Sequence, residues 1–138
     1  MPRVFDTSSL MALFLDDGAP EMSVVFDEHV LDLTFYEDGN VLWKAHSLQD
    51  RLTTEQHERL TALLSDLRAE LTVHTLEEIG TATVMAVAAE TRLTFYDAAH
   101  LACAIELDST LVTEDESLRE AAADRVEVAD IETVGEDI

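Results

Sequence analysis

The chain alternates short apolar runs with longer amphipathic stretches. "RVF" at 3–5 reads as a short strand, followed at once by Asp6 and a helical stretch, "SSLMALFLDD". "DGAP" at 17–20 signals a turn. Between 21 and 33, "VVF" and "HVLDL" both have strand character. A helix is predicted to begin around Thr34 and to run through "YEDGNVLWKAH", despite Gly39. The clearest helix is "TTEQHERLTALLSDLRAEL", where Leu60, Leu63, Leu64, Leu67 and Leu71 recur at helical spacing with acids and arginines opposite. A fourth helix is expected over 76–90 and a fifth over 95–107. "STLVT" at 109–113 reads as a buried strand, with a helix near 115–123 and a last strand in "RVEVA" at 125–129. Strands alternating with helices predict an α/β fold, a three-layer sandwich around a mostly parallel sheet. No repeat or linker interrupts it, so one domain spanning 1–138 is expected. In such sheets functional groups collect beyond the carboxyl ends of strands, which is where Asp6 and Asp115 fall.

Composition changes this picture mainly through charge. There are 30 acidic residues against 8 basic ones, giving −22. The basic set is Lys44 and seven arginines. Such an excess destabilises a compact state by self-repulsion, yet 47% of the residues are hydrophobic, against a disordered acidic tail. A folded, lysine-poor, acid-coated chain points to a halophile, since in molar salt the screening length is only about 3 Å. An acidic binding protein of a low-salt organism is the alternative. "MPRVFDTSSL" has no signal-peptide character, and "VMAVAA" at 84–89 is far too short to cross a membrane. A lone Cys103 makes neither an internal disulfide nor a zinc knuckle. The expectation is a soluble, cytoplasmic protein with no membrane contact.

Two nearly identical tetrapeptides, "TFYE" at 34–37 and "TFYD" at 94–97, each introduce a helical pattern. Thr-x-x-acid is a capping box, a device that Thr53–Gln56, Thr75–Glu78 and Thr113–Glu116 also fit. Capping accounts for the threonine and the acid but not for "FY". The helix "YDAAHLACAIEL" has almost no polar face, so Asp97 in its first turn should be substantially buried. A buried carboxylate is paired, protonated or metal-bound. Arg92 is a possible partner for it, so a metal is favoured without being forced. Glu37 shares a helix face with Val41, and taken alone reads as a capping acid.

"VFDTSSL", "FYEDGNVLWK", "TFYDAAHLACAIEL" and "LVTEDESL", in this order and covering nearly the whole chain, resemble the PIN-domain family, and among its members the toxin ribonucleases of the VapC type. The resemblance implies an α/β/α sandwich on a parallel sheet. It maps the family's acidic quartet onto Asp6, Glu37, Asp97 and Asp115, as catalytic residues and metal ligands. Thr7 and Thr113 match hydroxyl positions beside the metal, and Asn40 matches a supporting asparagine. The "T-x-D" spacing selects Asp115 over Glu114 and Glu116. His100, three residues from Asp97, is read as a packing or hydrogen-bonding residue, and Trp43 as core or interface. His29, His46, His57 and His74 are scattered and suggest nothing.

Four carboxylates need a cation: two like charges about 4 Å apart repel by roughly 4 kcal/mol at an effective dielectric near 20. Oxygen-only ligands select a hard ion, Mg²⁺ or Mn²⁺, which can activate water and offset charge developing on a phosphodiester. The resemblance therefore implies metal-dependent endoribonuclease activity on RNA, an antitoxin partner offering a segment to an apolar groove near the site, and a homodimer. An acid-coated surface sits badly with phosphate binding, which predicts a narrow substrate range. The alternatives are a non-catalytic PIN-like binding module, and a phosphoacceptor receiver domain. The receiver would need a lysine after a late strand, and the only lysine is Lys44.

Overall fold

The computed structural model describes residues 2–136. Five strands, β1 (Arg3–Phe5), β2 (His29–Leu31), β3 (Thr72–His74), β4 (Thr110–Val112) and β5 (Val128–Ala129), form one parallel sheet in the order β3-β2-β1-β4-β5. Strands this short still build a core because both faces of each are covered. Val4, Leu31 and Leu111 point to one apolar cluster, and their neighbours Phe5, Val30 and Val112 to a second on the opposite face. Strand periodicity of two thus divides each strand between two cores.

Among the described residues, eight α-helices cover the faces: α1 (Thr7–Leu15), α2 (Leu33–Trp43), α3 (Thr54–Leu67), α4 (Leu76–Ile79), α5 (Thr81–Thr91), α6 (Phe95–Glu106), α7 (Glu116–Ala122) and α8 (Ile131–Glu136). The face of Val4 carries α6, buried continuously from Ala98 to Ala104, with α5 packed along it. The face of Phe5 carries α1 and α8. This is the expected α/β/α sandwich.

Several expectations need correction. The predicted helix over 76–90 is two helices, broken at Gly80, whose φ of +98° is open to glycine and closed to L-residues. Thr72–His74, placed in no element by periodicity, is the edge strand β3, and Ile131–Glu136 adds an unforeseen last helix. "VVF" lies largely in a 3₁₀ turn, Met22–Val25. The leucine-striped α3 is shallowly packed: Leu67 is buried, while Leu63 is exposed. Trp43 is about half exposed and so is not core. Nor are the histidines scattered in space. His29 and His74 stack across β2 and β3, with Nδ1 of the first 2.9 Å from Nε2 of the second. His74 Nδ1 lies 3.1 Å from Glu78 Oε2. His46 stacks on His57.

The capping boxes are a mixed case. Thr53 and Gln56 form a complete reciprocal box. Thr75 and Thr94 each accept from the backbone N–H three residues on. Thr34 caps nothing: α2 begins two residues earlier with Asp32 as N-cap, and Thr34 is buried inside the helix. Thr113 is no cap either, because Asp115 takes that role for α7.

Gly80→Ala would force a β-carbon onto a φ of +98°, costing about 1–3 kcal/mol of stability. Urea unfolding checks this, and an unchanged midpoint would mean that the break between α4 and α5 relaxes freely.

Candidate functional site

The order β3-β2-β1-β4-β5 reverses between β1 and β4, where open α/β sheets bind their ligands. Asp6 ends β1 at this point, 4% exposed, and N-caps α1 by accepting from Ser9 N at 2.9 Å. Its carboxylate also takes the Ser8 hydroxyl at 2.8 Å and the Thr113 hydroxyl at 2.5 Å. Each hydroxyl proton is thereby committed to Asp6, and each oxygen accepts a backbone N–H in turn: Ser8 from Glu114 at 2.9 Å, Thr113 from Asp115 at 3.0 Å. The two hydroxyls relay the peptide dipoles of the β4–α7 loop onto one carboxylate.

Glu37, in the second turn of α2, is fixed differently. Thr7 Oγ1 donates to its Oε1 at 2.6 Å, and His100 Nε2 donates to the same oxygen at 3.3 Å. The His100 bond, aided by the Thr7 bond and opposed by burial, holds the Glu37 carboxyl below its ordinary range. Asp115 caps α7 through Oδ1, which accepts from Ser117 N and Leu118 N. Asp97, half-buried in the first turn of α6, has no hydrogen-bonding or ion-pair partner for its carboxylate among the described residues. Burial raises its pKa, and the charges of Asp115, Asp6 and Glu37 push the same way against the pull of His100. Arg92 ends α5 in the left-handed region, exposed and unpaired with Asp97.

Asp6, Thr7, Glu37, Asp97, His100 and Asp115 therefore line one cleft of about 260 Å³, together with Ser8, Met11 and Val41. Among the described residues, no lysine or arginine lines it. Thr113 lies beneath it, fully buried. Glu114 turns toward Arg119, 3.8 Å distant, and of the three neighbouring acids Asp115 is the one that lines the cleft. Asn40, three residues after Glu37 on α2, is exposed and does not line the cleft.

Residues 3–124 match the family described as PIN domain. The chain belongs to the PIN domain family. It is 31% identical over 125 residues to Ribonuclease VapC3 of Pyrobaculum aerophilum, covering 87% of this chain and 94% of that protein. It is 36% identical over 107 residues to Exonuclease VapC9 of the same organism, covering 76% and 72%. Among solved structures, the crystal structure of PAE2754 from Pyrobaculum aerophilum superposes with a TM-score of 0.74 at 28% identity, covering 99% of this chain and 94% of that one.

This PIN domain also contains an acid that sequence patterning passes over. Asp38, next to Glu37, is fully buried, and neither of its oxygens has a partner among the described residues. Burial, then the charges of Glu37 and Asp6, push its pKa up to about 9. Thr34, one turn earlier on the same face of α2, likewise leaves its buried hydroxyl unpartnered. The quoted "YEDGN" did contain a signal: two adjacent acids point about 100° apart on a helix, so both reach the cleft only if one lies under it. Ser8, also passed over, sits in an Asp-Thr-Ser-Ser run rich in hydroxyls able to bond back to the acid.

The donor set fits a hard divalent ion that retains part of its water shell. Among the described residues, no three acidic or imidazole side chains close into a ready cage. Mg²⁺ is usually held by one or two carboxylates and several waters, and an open cleft with one unpartnered carboxylate suits that better than an all-protein cage.

A carboxyl whose folded pKa lies above its unfolded value loses stability as pH rises from the unfolded pKa to the folded one. Asp38→Asn, measured in chelator, should therefore be more stable than the parent at pH 8 by about 2–4 kcal/mol. The two proteins should converge as pH falls toward 4. Equal stabilities at pH 8 would show that Asp38 ionises at no cost.

Proposed function

We propose that this PIN domain is a divalent-metal-dependent endoribonuclease and the toxin of a toxin–antitoxin pair. The observation that carries the reading is Asp97: a half-buried carboxylate with no partner among the described residues, facing three other acids whose charges raise its pKa. Like charges gathered in a cleft without a lysine or arginine call for a cation from solution. The names Ribonuclease VapC3 and Exonuclease VapC9 borne by its relatives support nuclease chemistry.

Asp6, Glu37, Asp97 and Asp115 would hold the ion, Mg²⁺ or Mn²⁺. Bound there, it would supply a water of lowered pKa and positive charge against a phosphodiester in its transition state. The chain's own residues do the rest. Ser8 and Thr113 fix the Asp6 carboxylate so that it need not reorganise when a ligand arrives. Thr7 and the buried His100 do the same for Glu37 and keep it ionised. Asp115 is anchored by the N-terminus of α7. Thr7 and Thr113 thus serve as orienting residues.

The partners implied are RNA, an antitoxin protein and a second copy of the chain, working in the cytoplasm. Among the described residues no helix is long and apolar enough to cross a membrane. The net charge of −22 further supports a protein adapted to high salt, where screening shortens its self-repulsion to about 3 Å.

Two measurements test this. Purified protein in multimolar KCl with Mn²⁺ or Mg²⁺ should cleave RNA, circular RNA included, since an endonuclease needs no end. Chelation and Asp97→Asn should each lower the rate at least about 100-fold. An active Asp97→Asn protein, or a circular substrate left intact beside a degraded linear one, overturns the assignment. Separately, the melting temperature should rise steeply between 0.1 and about 2 M KCl as repulsion is screened. A flat response removes the inference of salt adaptation.

A further inference from the structure

His29 and His74 lie far apart in the chain and converge at the edge of the sheet. The register pairs Leu31 with His74 and His29 with Thr72, so alternation along the strands puts both histidines on the face of Leu31. The two rings meet across the strands, with Nδ1 of His29 2.9 Å from Nε2 of His74. Glu78, in α4, closes the far side of the second ring, its Oε2 3.1 Å from His74 Nδ1.

That last contact decides the tautomer. An ionised carboxylate only accepts, so the His74 proton lies on Nδ1 and its Nε2 presents a lone pair to His29. A carboxylate behind an imidazole is the arrangement that orients a metal-ligating histidine. None of the three residues lines the acidic cleft or belongs to either apolar core. Burial, then the neighbouring His74, lower the pKa of His29 against the opposing pull of Glu28. The His29 ring is therefore neutral at pH 7, as a metal ligand must be. Two imidazoles bound tetrahedrally at about 2.0–2.1 Å stand roughly 3.3 Å apart. The pair falls short of that by only about 0.4 Å, which small rotations of the rings supply.

Neighbouring donors are committed elsewhere. Glu28 is paired with Arg3 at 3.5 Å. Cys103, buried in α6, has its thiol pushed up to about 12 by burial and the charge of Glu78. Among the described residues no three such side chains form a complete cage, so water must fill the remaining positions. The Glu78 side chain is 56% exposed and that of His74 15%, which leaves the pair open to solvent.

We propose that His29 Nδ1 and His74 Nε2 form a two-histidine site for a borderline transition-metal ion such as Zn²⁺, with Glu78 orienting His74 and water completing the coordination. Imidazole suits Zn²⁺, Ni²⁺ and Cu²⁺, whereas the carboxylates of the cleft suit Mg²⁺ or Mn²⁺, so the two centres take different classes of ion. The ion ties β2 to the edge strand β3 and, through Glu78, to the four-residue α4 that follows. This inference stands independently of the ribonuclease reading.

The test uses the full chain at about pH 7.5, where free imidazole is neutral, in excess Mg²⁺ to occupy oxygen sites. Zn²⁺ at a hundred times its Kd, measured by calorimetric titration, should lower the unfolding equilibrium constant about 100-fold. His29→Gln and His74→Gln should each abolish this response, and Glu78→Ala should weaken Zn²⁺ binding about 10- to 100-fold. His57→Gln, which removes the other stacked histidine pair, should leave Zn²⁺ binding unchanged. Electron paramagnetic resonance of added Cu²⁺ gives a readout independent of stability: the parent should show two coupled nitrogens, and each glutamine variant at His29 or His74 at most one. A Zn²⁺ response retained by both of those variants, or Cu²⁺ coupled to no nitrogen in the parent, overturns the proposal. So does a nitrogen signal lost in His57→Gln and kept in His29→Gln.

Discussion

The pairing of β1 with β4 is the constraint from which the rest of the site follows. The register Phe5↔Val112 brings the next residue of each strand together, Asp6 beside Thr113, at the point where strand order reverses. From there two hydroxyls, each with one proton to give and one backbone N–H to accept, tie the β4–α7 loop to the Asp6 carboxylate. A hydrogen bond to a charged group contributes about 1.5–3 kcal/mol where a neutral one gives about 1. The same contacts that stabilise the loop therefore hold a carboxylate still, and a carboxylate held still is what catalysis by preorganisation requires. If the register slipped by one residue, Asp6 would turn toward the wrong face of the sheet.

Around that fixed point the chain tolerates a concentration of negative charge by treating its acids unequally. Asp6 is surrounded by donors, Glu37 accepts from Thr7 and His100, and Asp115 is bound to the start of a helix. Asp38 takes the opposite course, buried where its pKa rises to about 9, so that at neutral pH it adds no charge. Asp97 alone is left facing the cleft without a hydrogen bond. The distribution is asymmetric, because three acids are positioned by the protein and the fourth is left without a partner among the described residues.

How much of this the sequence discloses depends on whether a residue's role is set locally. Asp6 and Asp115 were legible because each follows an apolar strand and starts a helix, and Asp97 because its helix is apolar nearly all round. Those are properties of a few adjacent residues. Asp38 was not legible, since its burial depends on how α2 lies against the rest of the fold. Strand β3 was missed because "TVH" is short, polar at one end and at the sheet edge, so hydrophobic periodicity has almost nothing to act on. The His29–His74 pair is set by the register of two strands more than forty residues apart. Leucine spacing made α3 conspicuous, yet it buries little, since periodicity reports an apolar stripe and not what covers it.

The duplicated tetrapeptide shows how far local identity can mislead. Thr94 caps its helix, while Thr34 lies inside one, because Asp32 starts α2 earlier than any residue starts α6. The acids consequently stand in different turns, Asp97 in the first and Glu37 in the second. The phenylalanines diverge too, Phe95 packing on the core of one sheet face and Phe35 on the other, where Arg68 covers its ring at 4.9 Å. Yet both segments end with a carboxylate in the cleft and a tyrosine in an adjoining apolar groove. Two helices entering from different registers and facing different cores thus reach the same pair of recesses. A shared cap would require the threonines to match, and they do not. What the two segments have in common in space is the tyrosine and the acid, so the features of the repeat that the fold uses twice are the two that line the open recesses.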